Sequence, residues 1–582
     1  MARRGVCLVA LCVVPLATAG ALAQDAPSSA RVSRARAAAR PVDSSEALGD
    51  ARAAQREFEQ LRRRFLPFAA TSSPTSCEER VGRICWWDED DTTDAVPDEP
   101  PAESPRIVAG RDRLLARLDS AAMSIPGDDW IAGQQIHYMI EGGQLADAVE
   151  RARECAPARW WCDALLGLAL HSAGEFAAAD SAFSIALAAM PEAERCEWTD
   201  LTKLFDGDVR GAYRRLSCDE RLAVNERLWW LADPLYSRPG NDRRTEHYSR
   251  LTRDQAHRRA SAVHRMIWGP DLGELTVRYG WSSHYAQEVP RSFNSAQPSI
   301  VAYNRVPGYR FFADAGATPA DTADATWNLR PLRSAERYSP LYATFAGLDA
   351  QTAAFPRGDS VLVAAAFDAG VDTLFGQGAI ESALVLTGGP DRREQAMVTV
   401  AGRRGTLSAR VPEIPVVASI EVIGEKRIRR ARVRVSPRPG AGRRVRLSDV
   451  AFFTPGESLP DSFATFVERM RPDQTARREE RLGLYWELSA SEPITDRLTT
   501  RVDVVRERRH WLRRAVERIG IVSPDRGVRL GWDDSMRRDG VVSRAVSVDL
   551  STLDPGVYRI EIVVEIPGEP PLVASRELRV TR

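Results

Sequence analysis

Apolar residues recur at helical spacing in the first half of this chain and alternate with polar residues in the second. Leu48, Ala54, Phe58, Leu61 and Phe65 follow the 3.6-residue period, so an amphipathic helix is expected over 44–65. The helical pattern returns at Arg111 and runs to about Trp268. After Ala353 the period shortens to two. Ala431, Val433 and Val435 alternate with Arg430, Arg432 and Arg434, and Tyr558, Ile560, Ile562, Val564 and Ile566 alternate with Arg559, Glu561 and Glu565. Alternation of this kind predicts strands with one face in a core and the other in water. One helical stripe interrupts the strands, where Trp511, Leu512, Val516 and Ile519 recur.

Breaks in the pattern divide the chain. Met1 to Ala23 reads as an export leader, with charge at Arg3 and Arg4, an apolar run to Ala19, and a small-x-small cleavage site at Ala21-Leu22-Ala23. The mature chain is expected to begin near Gln24, outside the cytoplasm, in the periplasm or beyond the cell. Residues 24–42 are Ala, Arg, Ser and Pro, too poor in large apolar groups to fold. Residues 88–105 read as an acidic, proline-rich linker, since Asp88-Glu89-Asp90-Asp91 lacks the Asp-x-Asp-x-Asp-Gly spacing of a calcium loop. A connector rich in Pro, Gly and Arg, 437–444, separates two strand-bearing parts.

A chain of 582 residues is too long for one core and predicts three or four domains. Its 80 basic and 80 acidic residues cancel, and loss of Arg3 and Arg4 with the leader leaves 0 − 2 = −2. Such a balance lacks the basic footprint of a nucleic-acid binder. No apolar run after the leader is long enough to span a bilayer. Lysine occurs only at Lys203 and Lys426, so Schiff-base and phosphate-loop chemistry have almost no candidates. Six cysteines follow the leader, and an even number in an oxidising compartment predicts disulfides. Connectivity stays open. The simplest scheme joins neighbours: Cys77 with Cys85, Cys155 with Cys162, and Cys196 with Cys218. No Cys-x-x-Cys pair points to zinc, and neither a metal nor a cofactor is expected.

Two segments resemble known families. In 161–191, Gly167, Leu170, Gly174, Ala179, Phe183, Ala186 and Pro191 fall at tetratricopeptide-repeat offsets, and a degenerate copy precedes them with Gly143 and Ala148 in place. A third copy is expected after Glu197. The resemblance implies stacked helix pairs that present a surface to a protein or peptide. The second segment begins at Leu228-Trp229-Trp230-Leu231-Ala232-Asp233-Pro234-Leu235-Tyr236 and continues through Pro239-Gly240-Asn241-Asp242-Arg243-Arg244-Thr245-Glu246-His247-Tyr248. About thirty residues on comes Leu275-Thr276-Val277-Arg278-Tyr279-Gly280-Trp281. This order resembles the GWxTD domain of exported bacterial proteins, in which the later segment is a strand ending in Tyr-Gly. Trp268-Gly269-Pro270-Asp271 stands roughly where that family has its eponymous motif, and Leu484-Tyr485-Trp486-Glu487 resembles its C-terminal β-region. The turn Leu553-Asp554-Pro555-Gly556-Val557-Tyr558 is similar to the tyrosine corner of immunoglobulin-like sandwiches.

The expectation is a multidomain α + β chain: a leader (1–23); a tether, one helix and a linker (24–105); tetratricopeptide-like repeats (106–220); a mixed GWxTD-like module (221–352); and two β-sandwich-like domains (353–440 and 441–582), the second with a helical insertion. Candidate binding residues are Trp229, Trp230, Asp233, Tyr236, Asn241, Asp242, Arg244, Glu246, Tyr248, Tyr279 and Trp281. Asp233 before Pro234 is placed to cap a helix or hold a turn, and Arg243, Arg244 and Glu246 to form an ion-pair network. His257 and His264, seven residues apart, suit one helix face but not one ion. No Gly-x-Ser-x-Gly, His-Glu-x-x-His or phosphate loop occurs. The expected role is an exported, non-enzymatic scaffold or protein- or peptide-binding protein of the cell envelope. The alternative is an envelope hydrolase-like enzyme with a site around Asp233 to Tyr248.

Overall fold

The computed structural model describes residues 44–69, 77, 79–86, 101–205, 207–288, 299–303, 342–391, 395–436, 444–506, 529–536 and 540–582. The leader, the tether, the acidic run 88–91, most of the connector and the stripe at 508–519 lie outside them. Helices fill the first half and sheets the second, as expected of a mixed α + β chain. No helix among the described residues is long and apolar enough to cross a membrane.

The helices are α1 (Ser44–Phe65), α2 (Pro105–Ser124), α3 (Asp129–Glu141), α4 (Leu145–Arg153), α5 (Arg159–Ser172), α6 (Phe176–Ala189), α7 (Glu192–Trp198), α8 (Gly207–Arg214), α9 (Cys218–Ala232), α10 (Asp242–His257), α11 (Pro270–Tyr279) and the short α12 (Phe463–Val467). Helices α3 and α4, then α5 and α6, form hairpins that turn at Gly143 and Gly174. Gly167 lies where a Cβ would stand 2.7 Å from the Phe183 ring, so α5 and α6 approach closely only because that side chain is absent. One core runs from Phe58 of α1 through Leu118, Trp161, Leu165 and Phe183 to Tyr248 and Ala256 of α10. Removing this apolar surface from water is the main force that stacks the hairpins.

Cys77–Cys85, Cys155–Cys162 and Cys196–Cys218 are bonded. The first closes a two-stranded hairpin, β1 (Glu79–Val81) and β2 (Ile84–Trp86), that docks on α11. Arg83 forks onto Asp271 at 2.5 and 2.8 Å, and Trp86 stacks on Tyr279 with centroids 4.0 Å apart.

The remaining strands are β3 (His284–Gln287), β4 (Ile300–Tyr303), β5 (Thr344–Gly347), β6 (Asp349–Arg357), β7 (Ser360–Asp368), β8 (Glu381–Thr387), β9 (Gln395–Ala401), β10 (Arg404–Pro412), β11 (Val416–Ile423), β12 (Arg427–Val435), β13 (Val445–Leu447), β14 (Ala451–Phe453), β15 (Thr475–Arg477), β16 (Arg481–Ala490), β17 (Ile494–Arg506), β18 (Arg529–Met536), β19 (Gly540–Asp549), β20 (Gly556–Glu565) and β21 (Leu572–Thr581). A three-stranded sheet, β10-β7-β6, and a five-stranded sheet, β5-β12-β11-β8-β9, enclose one core around Val363, Phe367, Leu384 and Ile420. A second pair, β13-β16-β14 with β19 on β16 and β15-β21-β20-β17-β18, encloses another around Trp486, Leu484, Ile560 and Ile562. Outward residues of β6 and β7, including Phe355 and Ala364, meet Phe453, Phe466 and Tyr485 and join the two pairs. Tyr558 donates its hydroxyl to the Asp554 carbonyl at 2.7 Å, across the turn singled out in the sequence.

Three expectations are corrected. The sheets of the two paired cores begin at Thr344, within the stretch expected to belong to the preceding module, because β5 completes the five-stranded sheet by pairing in parallel with β12. The Tyr279-Gly280 segment ends a helix rather than a strand, since Pro270 at the start of α11 and Gly280 at its end punctuate a helix. On β12 the alternation does not sort polar out and apolar in: Arg430 and Arg432 are buried while Val433 is 37% exposed. Helix α9 ends on the arginine face, and the carbonyls of Leu231 in its last turn and of Asp233 and Pro234 just after it receive the guanidinium protons.

Candidate functional site

The aromatic-acidic block divides into three parts with different partners. Trp230, Asp233 and Tyr236 form a latch between helices and sheet. Asp233 accepts from the Leu235 amide at 3.1 Å, which turns the chain off α9. Trp230 and Tyr236 stack at 5.9 Å and settle on Ala383, Val385 and Val417. Glu421 of β11 accepts from the Tyr236 amide at 2.9 Å and from the Ser237 amide and hydroxyl at 3.1 and 2.5 Å. Arg430 donates to the Pro234 carbonyl at 2.6 Å, and Arg432 to those of Leu231 and Asp233 at 3.0 and 2.5 Å. The Arg432 guanidinium also lies 3.6 Å from the Tyr236 ring centre. Two cations thus sit on the negative end of a helix, where the macrodipole and unpaired carbonyls favour them. Burial, with Arg432 and Arg243 nearby, pushes the Arg430 pKa well below its ordinary value.

Asn241, Arg244 and Tyr248 fasten α10 to the hairpins. Asn241 caps α10 by accepting from the Arg244 amide at 3.0 Å and donates to the Trp229 carbonyl at 2.6 Å. Trp229 itself packs in a separate cluster with Leu201 and Tyr213. Arg244 pairs with Asp180 of α6 at 2.6 Å, and Tyr248 packs against Phe183. Gly240 has φ +85°, and a Cβ there would lie 2.6 Å from the Ala177 amide nitrogen, so the loop meets α6 backbone to backbone. Asp242 is buried beside Arg243, and burial pushes its carboxyl up to about 7 against the pull of that arginine. Of the expected network of Arg243, Arg244 and Glu246, Arg243 lies in the field of Asp242 and Glu246, and the other two have further partners. Glu246 bonds to Arg250, one turn along the same helix face, while Arg244 points toward α6.

The third part lines a cavity. Glu246, Tyr279 and Trp281 border a space of about 740 Å³ between the turns of the two hairpins and the face of α10 that carries Ser249, Arg250 and Arg253. None of the other eight candidate residues borders it. Arg250 pairs with Glu246 and donates to the Val277 and Arg278 carbonyls at 3.0 and 3.1 Å, so it caps the end of α11. Across the space, Arg62 of α1 pairs with Glu141 of α3 at 2.5 Å. Burial pushes the Glu141 pKa up, but Arg62 and His137 outweigh it and hold the carboxyl well below its usual range. His171 accepts or donates at Thr245 Oγ1, 2.9 Å away, and burial lowers its pKa to about 4, which keeps it neutral. Arg253 lies over the Trp281 ring, and Trp281 stacks on Trp268. Among the described residues no cluster of His, Cys, Asp and Glu has the geometry of a metal site.

Sequence reasoning missed Arg62, Glu141, His171, Ser249, Arg250 and Arg253. The last three carried a signal, since with Glu246 they recur at three- and four-residue steps on one face of α10. Arg62, Glu141 and His171 come from three other helices and carried none.

No family model and no curated protein matches this chain. Among solved structures, a family 123 glycoside hydrolase from Clostridium perfringens is 9% identical with a TM-score of 0.14, covering 23% of this chain and 27% of its own. Red sea bream transglutaminase is 9% identical with a TM-score of 0.13, covering 40% and 31%. Trypsin-activated alpha-2-macroglobulin from Escherichia coli is 12% identical with a TM-score of 0.15, covering 49% and 19%. The chain spans less than a third of each of these proteins, and scores this low carry no argument about fold or function.

Proposed function

We propose that the protein is an exported, non-enzymatic scaffold of the cell envelope that binds a protein or peptide through tetratricopeptide-like repeats. In this reading a GWxTD-like module couples the repeats to two β-sandwich-like domains. The observation that carries it is how the polar block is used. Asp233, Asn241 and Arg244 are each bonded to a neighbour that positions α9, α10 or the sheet, which is the work of a joint. The paired sheets, the Tyr558 corner and the close α5–α6 hairpin support the domain assignments. Ile185, 49% exposed on α6, offers the repeats an apolar contact point. A photo-crosslinker placed there in the full chain is expected to capture one partner protein, while one at Met397 on β9 captures none. Equal capture from both positions would remove the repeats from the reading.

The alternative, a hydrolase-like enzyme with a site around Asp233 to Tyr248, has one observation in its favour. A buried carboxyl at Asp242 titrates near neutrality, as general acids and bases do. Turnover of an envelope substrate that disappears in Asp242→Asn, with the melting curve unchanged, would establish it.

A further inference from the structure

The cavity beside α10 is not needed by a scaffold, and its walls have a definite chemistry. About 740 Å³ falls within the range of small-ligand sites, roughly 300–1,000 Å³. Three arginines, Arg62, Arg250 and Arg253, and three glutamates, Glu103, Glu141 and Glu246, border it, so 3 − 3 = 0 and the walls carry no net charge. Each glutamate already has a guanidinium: Glu141 has Arg62, Glu246 has Arg250, and Glu103 has Arg111 at 2.6 Å. A cationic ligand would lose its hydration there and find each lining glutamate already paired with an arginine. A paired carboxylate or guanidinium nevertheless keeps spare acceptor or donor sites, which suit groups that both give and take hydrogen bonds.

Ser249 supplies an independent pointer. It is 3% exposed, its Oγ has no hydrogen-bond partner among the described residues, and it borders the cavity. A buried hydroxyl left unpaired is destabilising, and a ligand hydroxyl in the cavity would relieve that. Two half-buried rings, Trp281 and Tyr285, share the wall with Ile107, Ile140, Leu145 and Phe176. The lining therefore suits a ligand that is not cationic, is rich in hydroxyls, and is faced with C–H groups that pack on aromatic and aliphatic surface.

We propose that this cavity binds a neutral saccharide of a few sugar units, with Ser249 and the Glu246–Arg250 pair holding hydroxyls and Trp281 packing against a ring face. The site lies at the turns of the repeat hairpins, but Ile185, the contact point proposed for a protein partner, does not border it, so either assignment is tested without the other. The test uses the full mature chain on an array of neutral and sialylated glycans, followed by titration of the best neutral hit and of a capped neutral tripeptide. Neutral glycans are expected to bind and to change the tryptophan fluorescence. Ser249→Ala should fold at least as stably, because it deletes an unpaired hydroxyl, yet bind the neutral hit about tenfold more weakly, the loss of one hydrogen bond. Trp281→Ala should weaken it further. Binding of sialylated glycans alone, of the tripeptide alone, or of no glycan at all would overturn the proposal. So would neutral binding that both variants leave unchanged.

Discussion

Single side chains in this protein are decided by their partners rather than by their types. Arginine illustrates it: Arg250 caps α11, Arg432 caps α9, Arg430 holds the Pro234 carbonyl just after it, and Arg62 neutralises Glu141, all largely buried. Glu246→Ala removes the carboxylate that pairs with the buried Arg250 guanidinium. The denaturant midpoint is expected to fall, at a cost of about 3 kcal/mol with the slope unchanged, and Glu246→Gln should cost less. Asp242 makes a second, signed prediction. Its folded pKa of about 7 exceeds the ordinary 3.8, so the folded chain holds that proton more tightly than the unfolded one. Its contribution therefore favours folding at low pH and is lost as pH rises through about 7. The stability of the natural chain minus that of Asp242→Asn should fall between pH ~4 and ~7, by a few kcal/mol, and level off above. The buried histidines act oppositely. Burial holds His137 at about 4 and His247 at about 3, so stability is complete above about pH 6.5 and is lost on acidification toward those values. A flat difference curve for Asp242→Asn would remove the carboxyl from this account.

Among the elements, the hairpins α3–α4 and α5–α6 were legible in the sequence because small residues at repeat offsets have a local cause: close helices need Gly167, and tight turns need Gly143 and Gly174. Helix α10 was harder, since nearly all of its buried positions are polar and only the surrounding helices supply their partners. Gly240 is a test at this scale. An alanine there meets the Ala177 backbone and must hold a positive φ, so Gly240→Ala should destabilise by about 2 kcal/mol or more, read as a lower melting temperature. Retention of the natural melting temperature would mean that the loop does not approach α6 as closely as described. The β12 alternation shows the limit of periodicity: a period of two was visible, but which face is the wet one depends on α9 lying across it.

For the whole molecule, the latch makes the helical and sheet halves interdependent. Arg432→Met leaves α9 carbonyls and the Tyr236 face without their cation, and Glu421→Gln weakens the hold on the Tyr236 and Ser237 amides. Together they are expected to separate a single calorimetric transition into two; one undivided transition would show that the latch does not couple the halves. The same geometry bears on how the sheets are cut from the helices. A fragment starting at Arg357 loses nearly all of β6 and the β5 partner of β12, whereas one starting at Thr344 keeps every strand from β5 onward but exposes Ala383, Val385 and Val417. The longer fragment should melt as a folded β protein and the shorter one should not. The change from helix to sheet was readable from the period, but the point where the sheets start was not, because β5 is joined to its sheet by a pairing more than eighty residues away.

By itself the sequence determined what depends on near neighbours: helix in the first half and strand in the second, the hairpin turns, the corner at Tyr558, and an even set of cysteines beyond residue 23. The tertiary structure alone decided that Trp230, Asp233 and Tyr236 are a latch and that Glu246 faces Arg250. It also decided that Arg62, Glu141, His171 and Ser249 meet around one cavity. The physical reason is range. Helix period, turn geometry and capping act over a few residues, whereas buried charge must find its partner wherever the packing of distant elements brings one within about 3 Å.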